Sequence, residues 1–398
     1  MQRFDINNSD WAALFRSNDG GSELFQSLVD NSDLLNTNDG WALTQGHIAD
    51  APTPVADDGS ATFRMTSSKL EAAPVMDLRA PLGDSHQMDN NGEDEYTASI
   101  PDFIGRGFVE TAAQRIYKQK IFAQLGNADR IIANWVRDYL AVGLRSAKAT
   151  LNNVTAQLET KGKIDYTGLG AGVYAKLYDA RIPKDNFQKA GTKAWTDADC
   201  KILTQMRKLE DAYRDKRGGY NGALTWKMTK KMYNDVFLQN QEVRDLYVTW
   251  CKANYIAYVE GMPITNEQFL NSFTDIQGIS PIEIVTEKER NKTRTTDTFV
   301  QGWADNRVVL RPAGDTVEFK YVDVLEREVF SNGYGASTID TTFATMLNGL
   351  VTAMNTTTDN GRLKEWHTDV MMSAIPALIS FTNHEIIHTE VAGDGAVA

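Results

Sequence analysis

The chain has 398 residues, of which 42% are hydrophobic and 24% are charged, proportions that are ordinary for a folded protein. Its formal net charge of −12 argues against non-specific nucleic-acid binding through the average surface, because phosphate contacts need clustered Lys and Arg. No apolar run reaches the roughly 18 residues that span a membrane, and the first residues, MQRFD, lack the apolar core of a secretory signal, so we expect neither a membrane nor a secreted protein.

The two cysteines and one group of lysines are the residues whose type alone could indicate a metal-binding or phosphate-binding site. The two cysteines, Cys200 and Cys251, have no metal-type spacing and are predicted to be small, reduced, buried hydrophobes, as is typical of a cytosolic chain. Lys227, Lys230 and Lys231 form a local basic group, which we interpret as a solvated helix start rather than a phosphate-binding patch.

Residues 1–58 alternate short apolar clusters with polar breaks such as Asn38-Asp-Gly40. Two short helices are predicted here, one around Trp11, Leu14 and Phe15 and one around Leu24, Phe25, Leu28 and Val29. Neither can enclose a core, so this segment is predicted to be an arm that becomes buried only against neighbouring copies of the chain.

Residues 59–108 are predicted to be an extended hairpin. Its arms, 72–82 and 95–108, flank the segment 84–95, which contains five acidic residues and no Lys or Arg. The hairpin has few apolar residues, so it should project and rest on something else.

A mixed helix or turn over 109–125, ended by Gly126, leads into a long helix predicted over 127–158. Its apolar positions recur at steps of three and four: Ala128, Ile132, Trp135, Tyr139 and Val142, and beside them Leu140, Leu144, Ala147, Leu151, Val154 and Leu158. A helix of that length spans about 48 Å and suits a flat, plate-like subunit. Gly143, inside it, is interpreted as a close-packing point.

Glycine-punctuated strands follow, from Lys163 to Tyr166 and from Val173 to Ile182. The GLGAG run between them (168–172) does not open a helix, so a hairpin turn is predicted rather than a phosphate loop. The segment 196–199 is predicted to cap a helix that runs to Gly218.

Strands and helices then alternate over 196–325, which predicts an α/β half. Strands are predicted at 223–228, 282–285, 308–310 and 317–322, helices at 229–255 and 265–273, and a charged surface loop at 287–297. After Tyr321 the chain is predicted to be rich in loops, with turns at 332–335 and 355–361, and to end in a strand over 385–391; no internal repeat is present.

The segment His384-Glu385-Ile-Ile-His388 matches the H-E-x-x-H signature of zinc peptidases. That chemistry requires a helix, because only there do both histidines reach one metal ion. The flanking residues alternate with period two, which predicts a strand that would hold the histidines about 13 Å apart. Too little chain follows to supply a third ligand, although Glu390 is a nearby carboxylate. His384 and His388 are therefore weak metal candidates, and we interpret the match as a coincidence.

The sequence around the other histidines does not indicate a catalytic centre. His47 and His86 lie in polar segments, and His367 follows Trp366 in a helix-like stretch. None has a neighbouring Ser or Cys in a nucleophile setting. The sequence therefore predicts no enzyme, no catalytic residue and no cofactor.

The order of elements resembles that of the major capsid proteins of tailed bacteriophages, the Hong Kong-type capsid fold, and is most similar to the lambda major head protein group. The residues that carry the resemblance are the helix stripe at 128–158, the segment 308–314 (VVLRPAG) before the strand at 317–322, and the exit at 373–379 (SAIPALI). A longer polar N-terminus and the C-terminal histidine pair depart from the family pattern.

The resemblance implies an α+β fold in five segments. They are an N-terminal arm (1–58), an extended loop hairpin (59–108), a peripheral domain with its spine helix (109–222), an axial domain (223–375) and a C-terminal strand that returns to the peripheral domain (376–398).

It also implies a structural function, in which hexamers and pentamers of the chain tile an icosahedral virion shell around double-stranded DNA without binding it tightly. The implied partners are the chain itself and portal, scaffolding and decoration proteins, with assembly in the host bacterial cytoplasm and no membrane contact. From the Met1 start we expect that no scaffolding segment has been removed. The alternatives are a zinc peptidase using His384, Glu385 and His388, or another virion structural module such as a tail or adhesion protein.

Overall fold

The computed structural model describes residues 13–15, 20–32, 35, 46–55, 61–71, 93–104, 108–111, 113–114, 117, 120, 129–165, 178–258, 261, 263–285, 288–292, 297–324, 327, 340–360 and 363–391. Within them the chain is a mixture of helices and sheets, which confirms the predicted α+β class. In this part of the chain, no helix is both long enough and apolar enough to cross a membrane.

The helices are α1 (Gly21–Asp30), α2 (Asp129–Trp135), α3 (Ala141–Lys161), α4 (Ile202–Asp215), α5 (Gln241–Ala253) and α6 (Glu267–Gln277), with π-helical segments at Val136–Leu140 and Met232–Phe237 and short 3-10 helices at Lys184–Asn186 and Phe381–Asn383. The strands of the first half are β1 (His47–Ile48), β2 (Thr62–Ser68), β3 (Glu93–Ser99), β4 (Asp102–Ile104), β5 (Phe108–Glu110), β6 (Lys163–Ile164), β7 (Tyr178–Asp179) and β8 (Phe187–Lys189). The later strands are β9 (Leu224–Thr229), β10 (Ile282–Val285), β11 (Lys288–Lys292), β12 (Asp297–Gln301), β13 (Arg307–Pro312), β14 (Val317–Val322), β15 (Asp340–Met346), β16 (Val351–Asn360), β17 (Leu363–Leu378) and β18 (Glu385–His388).

The chain divides into two compact units, each made of non-contiguous segments. The first unit comprises 1–63, 98–152 and 318–377, and the second comprises 64–97, 153–317 and 378–398. This division by contacts does not test the five predicted segments, which stay predictions.

A large sheet forms the first unit, in the strand order β1-β14-β17-β16-β15, with β4 and β5 also paired to β17. Strands β15, β16 and β17 make an antiparallel meander, in which Asn355 faces Thr342 on one side and Thr368 on the other. The prediction of a loop-rich end with a turn at 355–361 is therefore wrong over these strands. Threonine is a good strand former, and these polar side chains are buried inside the sheet, where they bond to one another.

The long helix consists of α2, the π-helical segment Val136–Leu140 and α3, so it runs to Lys161 instead of ending at Leu158. Its predicted start at Asn127 lies outside the described residues. Every side chain from Asn153 to Thr160 is buried, so this part of the helix is enclosed on all sides.

The π-helical segment changes the apolar stripe of the long helix. It adds a residue to one turn, so the buried stripe steps by five from Trp135 to Leu140 before it resumes steps of three and four. The stripe from Leu140 to Leu158 is confirmed. The continuation through Tyr139 and Val142 is wrong, since Tyr139 is only half-buried and Val142 is exposed.

The first half of this helix packs on one face of β17. The indole Nε1–H of Trp135 donates a 3.3 Å hydrogen bond to Thr368 Oγ1. A Cβ built on Gly143 would lie only 2.4 Å from Val370 Cγ2, so a side chain there has no room. Gly143 is therefore the close-packing point that the sequence predicted.

Helix α1 and the residues before it pack within the first unit. Phe25 and Phe15 are both fully buried, and Phe15 stacks on Trp366 with a centroid distance of 4.4 Å. The carbonyl of Leu14 accepts a 3.1 Å hydrogen bond from Asn355 Nδ2. The helix predicted around Phe25 is confirmed, whereas burial of this segment only against neighbouring copies is wrong for these described residues. Trp11, in the other predicted helix, lies outside them.

Strands β2 and β3 pair with each other, so the strand opposite β3 is 62–68, while the predicted first arm, 72–82, lies outside the described residues. Tyr96 of β3 is buried against Phe381, with ring centroids 4.9 Å apart, so the base of the hairpin rests on its own chain. The predicted second arm does not continue to 108, because β4 leaves the hairpin and pairs with β17.

The segment after the hairpin differs from its prediction in part. Residues 108–110 form β5 instead of the start of a mixed helix, while residues 113–114, 117 and 120 are helical. Further along, β6 and β7 pair antiparallel and Lys163 faces Asp179. The GLGAG run between these two strands lies outside the described residues, so its turn stays a prediction.

A second, mixed sheet forms the second unit, in the order β10-β9-β13-β18-β8. Strand β9 runs parallel to β10 and antiparallel to β13, which places helices α4, α5 and α6 around a core that includes Trp226 and Val308. The predicted charged loop at 287–297 is wrong for 288–292 and 297, because β11 and β12 pair antiparallel there, while 287 and 293–296 lie outside the described residues.

The bounds of the helices in this unit also differ from the sequence prediction. Helix α4 starts at Ile202 without the predicted cap, because the Asp197 carboxylate instead accepts a hydrogen bond from the Ala194 amide. The Glu242 carboxylate, on another helix, accepts from the Leu203 amide at 2.9 Å and so satisfies the helix start.

The single helix predicted over 229–255 is interrupted at Asn240, whose side-chain oxygen accepts a 3.0 Å hydrogen bond from the Glu242 amide. Asn240 Nδ2 donates to the Cys200 carbonyl at 2.7 Å, so a long-range contact holds this residue out of the helical conformation. Helix α6 extends four residues beyond the predicted end at Phe273, to Gln277.

Candidate functional site

Residues 385–388 form the last strand of the second sheet, and His384 precedes them in an extended conformation. Strand β18 runs antiparallel to β13, with His388 opposite Arg307, and parallel to β8, with His388 opposite Lys189. The strand is shorter than the predicted 385–391, since it ends at His388. A strand places the two histidines about 13 Å apart, which is too far for both to bind one metal ion.

His384 is buried, and its ring Nε2 lies 2.7 Å from the carbonyl oxygen of Glu159 in α3. A carbonyl only accepts, so Nε2 carries the proton and donates, while Nδ1 has no hydrogen-bond partner. Burial lowers the pKa of His384 to about 4, and the nearby cations Lys227 and Arg311 act in the same direction, while Glu159 opposes them. The imidazole is therefore neutral at pH 7.

Glu385 points to the other side of the strand. Its carboxylate accepts a 3.1 Å hydrogen bond from Arg217 Nη1, and Lys216 Nζ lies 4.0 Å from the same oxygen. Burial raises the pKa of Glu385, and the charge and hydrogen bond of Arg217 oppose that rise. Arg217 also covers the ring of Tyr213 at 3.5 Å from its centroid. A carboxylate that is paired in this way is not free to act as a general base for a metal-bound water.

Lys227 of β9 and Glu159 of the long helix form a buried ion pair beside His384. The Lys227 side chain is fully buried and the Glu159 side chain is 2% exposed. Burial lowers the pKa of Lys227, and the adjacent Glu159 carboxylate opposes the shift. Lys227 Nζ also lies 5.9 Å from the ring centroid of Trp303. The interpretation of Lys227 as part of a solvated helix start is therefore wrong, whereas Lys230 and Lys231 are exposed.

A second ion pair extends this polar cluster. Arg311 Nη2 of β13 donates to Glu283 Oε2 of β10 at 3.1 Å, and Arg311 Nη1 donates to the Gly314 carbonyl at 2.6 Å. Together the two pairs join the long helix and strands β9, β10 and β13. In the Lys227–Glu159 pair both charges are buried, so a slip in register would leave a buried charge without its partner.

This arrangement pairs the buried charges of the second unit with one another, although His384 Nδ1, Glu159 Oε1 and Arg311 Nε are left without a hydrogen-bond partner. His388 is occupied by its neighbours, since its carbonyl accepts from the Ala190 amide at 2.7 Å and its Nδ1 accepts from the Glu390 amide at 3.0 Å. Across the described residues, no group of three His, Cys, Asp or Glu side chains is placed to hold a metal ion. The sequence reasoning missed Glu159, Arg217 and Arg311, and only the charged Lys227 inside an apolar strand signalled a buried pair.

The remaining sequence candidates lie apart from this cluster. His47 lies in β1 opposite Glu318, and His367 lies in strand β17, so the helix-like reading of its surroundings is wrong. His86 falls outside the described residues. Cys200 and Cys251 are both buried and free, as predicted, and burial, with Asp197 nearby, raises the pKa of Cys200 to about 11.

The sequence matches a known family over most of the second unit and part of the first. The family is described as phage major capsid protein E, and the match covers residues 66–327, well over half of the chain. No curated protein matches the chain.

Three solved structures illustrate what this chain is similar to. A putative capsid protein of an Escherichia coli CFT073 prophage has 11% identity and a TM-score of 0.46, over 94% of this chain and 99% of that chain. The capsid of cyanophage A-1(L) has 10% identity and a TM-score of 0.43, over 83% and 88%. A phage-related protein of Bordetella bronchiseptica RB50 has 14% identity and a TM-score of 0.37, over 88% and 91%.

Proposed function

This chain belongs to the phage major capsid protein E family, and we propose that its copies assemble into the hexamers and pentamers of an icosahedral shell. The resemblance to tailed-phage capsid proteins found in the sequence is confirmed by this match. The family gives the chain a structural role in the virion rather than an enzymatic one.

One observation carries the proposal: the family match runs without a break through β3, the long helix and nearly all of the second sheet. The match therefore covers a folded body and not a short motif. The H-E-x-x-H segment, the alternative reading, lies in a strand and its Glu385 is paired with Arg217, so a peptidase has no support.

The five segments implied by the resemblance suggest which parts of a subunit contact its neighbours in the shell. In this proposal the extended loop hairpin (59–108) of one subunit, apart from β4, which pairs with β17 of its own chain, lies over the spine region of the next. The parts of the N-terminal arm (1–58) that do not pack on their own chain add a further contact. The base formed by β2 and β3 supports this assignment, because it presents alternating exposed side chains such as Arg64 and Glu95 away from its own chain.

The shell is proposed to enclose double-stranded DNA without binding it tightly, which the net charge of −12 favours since an acidic wall repels phosphates. Portal, scaffolding and decoration proteins are proposed as further partners. Assembly is proposed to take place in the cytoplasm of the bacterial host.

Electron microscopy of the chain expressed in bacteria tests the proposal. Closed shells or rings of six subunits are expected, and a folded chain that stays monomeric at every concentration would overturn it. A variant in which a short Gly-Ser turn replaces residues 76–91 should keep its helical circular dichroism but lose shells, because β2 and β3 at the hairpin base pair within the chain while, in this proposal, the replaced segment makes a contact between subunits.

Measuring the zinc content of the same purified protein distinguishes a zinc peptidase from a shell subunit. We expect no bound zinc, and we expect shells of the His388→Ala variant in normal number. Stoichiometric zinc that disappears in this variant, together with peptide hydrolysis, would instead support a metallopeptidase.

A further inference from the structure

Tyr255, immediately after helix α5, is the most exposed large apolar side chain among the described residues, with 98% of its surface open to solvent. Its φ of 55° lies in the left-handed region, where a bulky side chain is rarely found. Two unfavourable features therefore coincide at one residue.

The backbone around Tyr255 ends α5 in a Schellman motif. The Tyr255 amide donates to the Lys252 carbonyl at 3.4 Å, and the Ile256 amide donates to the Cys251 carbonyl at 2.9 Å. Ile256 packs against the core that contains Cys251, which is the apolar contact that accompanies this motif. The motif places Tyr255 at the position that is normally glycine, because glycine alone has no Cβ to clash there.

The fold therefore gains nothing from a tyrosine at this position. The motif needs only the two backbone amides, and glycine would supply both without strain. The ring of Tyr255 is solvated almost completely, so it contributes no burial to its own chain. A side chain that opposes local stability without packing inside the subunit is explained by a contact outside it.

The surface around Tyr255 favours a second copy of the same chain as that contact. Residues 253–258 (ANYIAY) carry no charge, and Ala253, Asn254 and Ala257, the neighbours of Tyr255 in sequence, are exposed; the nearest described charge in sequence is the exposed Lys252, whose positive sign does not add to the repulsion between two acidic copies. Two copies with a net charge of −12 each repel one another, so they approach most favourably through an uncharged surface. Tyrosine is among the residues that contribute most to binding at protein interfaces.

We propose that Tyr255 is an anchor through which one subunit binds a neighbouring subunit, its ring entering an apolar pocket and its hydroxyl reaching a hydrogen-bond acceptor on that copy. The inference rests on the proposed function, since it assigns one contact of the self-assembling shell.

The test compares Tyr255→Gly and Tyr255→Asn with the wild-type chain. The melting temperature of unassembled subunits measures the fold, and light scattering with electron microscopy measures the concentration at which shells form. Asn348→Gly is the matched control, because Asn348 is also exposed, uncharged and left-handed, at φ 56°, but carries no ring.

We expect both Tyr255 variants to melt no lower than the wild-type chain and to need on the order of tenfold more protein to assemble. Asn348→Gly should assemble as the wild type does. Normal assembly of Tyr255→Gly, or a clear fall in its melting temperature, would overturn this inference while leaving the proposed function intact. A wild-type chain that never assembles would overturn the proposed function, and this contact would fall with it.

Discussion

Replacing Lys227 by methionine should strongly destabilise the second unit. Methionine fills nearly the same volume, so the substitution removes the charge without opening a large cavity. It leaves the Glu159 carboxylate, which is 2% exposed, buried without its ammonium partner. Breaking one side of a buried ion pair costs about 3–5 kcal/mol, and the upper part of that range is expected because Glu159 Oε1 already lacks a hydrogen-bond partner.

The double variant Lys227→Met with Glu159→Leu distinguishes the pair from simple packing. With both charges gone, no carboxylate is left uncompensated, so the double variant should recover most of the loss and equal the wild type within about 1–2 kcal/mol. Urea unfolding of dissociated subunits, followed by tryptophan fluorescence, measures each free energy of unfolding. A single variant that loses less than about 1 kcal/mol, or a double variant no more stable than the single one, would refute the reasoning.

Three further changes test other contacts. Because burial lowers the pKa of His384 to about 4, below its unfolded value of 6.5, the unfolded chain binds the extra proton first. The free energy of unfolding should then fall by about 2 kcal/mol from pH 7 to pH 5 and level off below about pH 4, and urea titrations should show a smaller fall for His384→Gln. Gly143→Ala should lower the free energy of unfolding by about 1–3 kcal/mol, seen as a lower urea midpoint, although helix propensity alone predicts a gain, because the new Cβ meets Val370. Phe15→Ala should cost about 3–5 kcal/mol in the same assay by removing the stack on Trp366, and an unchanged midpoint would contradict packing of this segment on its own chain.

The elements that the sequence predicted well are those whose pattern is set by their own residues. Strands β10 and β14 have the predicted bounds, and the stripe from Leu140 to Leu158 is buried as expected. The π-helical segment Val136–Leu140 could not be predicted, because the long helix presents two candidate stripes there. Which of the two stripes is buried depends on tertiary contacts such as that between Trp135 and Thr368, a residue distant in sequence.

The terminal meander was mistaken for loops because its polar residues are satisfied by partners far along the chain. Thr368 Oγ1 donates to Asn355 Oδ1 at 2.7 Å, and Asn355 Nδ2 donates to the carbonyl of Leu14, 341 residues away. An asparagine without such partners favours turns, which is what the local sequence indicated. The N-terminal segment and the Thr-rich strands thus supply each other's hydrogen-bond partners. The conformation of either segment therefore could not be predicted from its own residues alone.

For the histidine pair, in contrast, the local sequence pattern was sufficient, because the two-residue period correctly predicted a strand and so excluded a zinc site. Ligand identity and spacing both allow a zinc site at 384–388, but a period of two sends His384 and Glu385 to opposite faces of β18. Each then meets a different partner: His384 bonds to Glu159, 225 residues away, and Glu385 bonds to Arg217, 168 residues away. The alternating flanks were enough to predict the strand, yet nothing near the motif could indicate those two partners. His384 and Glu385, which would act on zinc in a helix, therefore connect this end of the chain to the long helix and to the turn that follows α4.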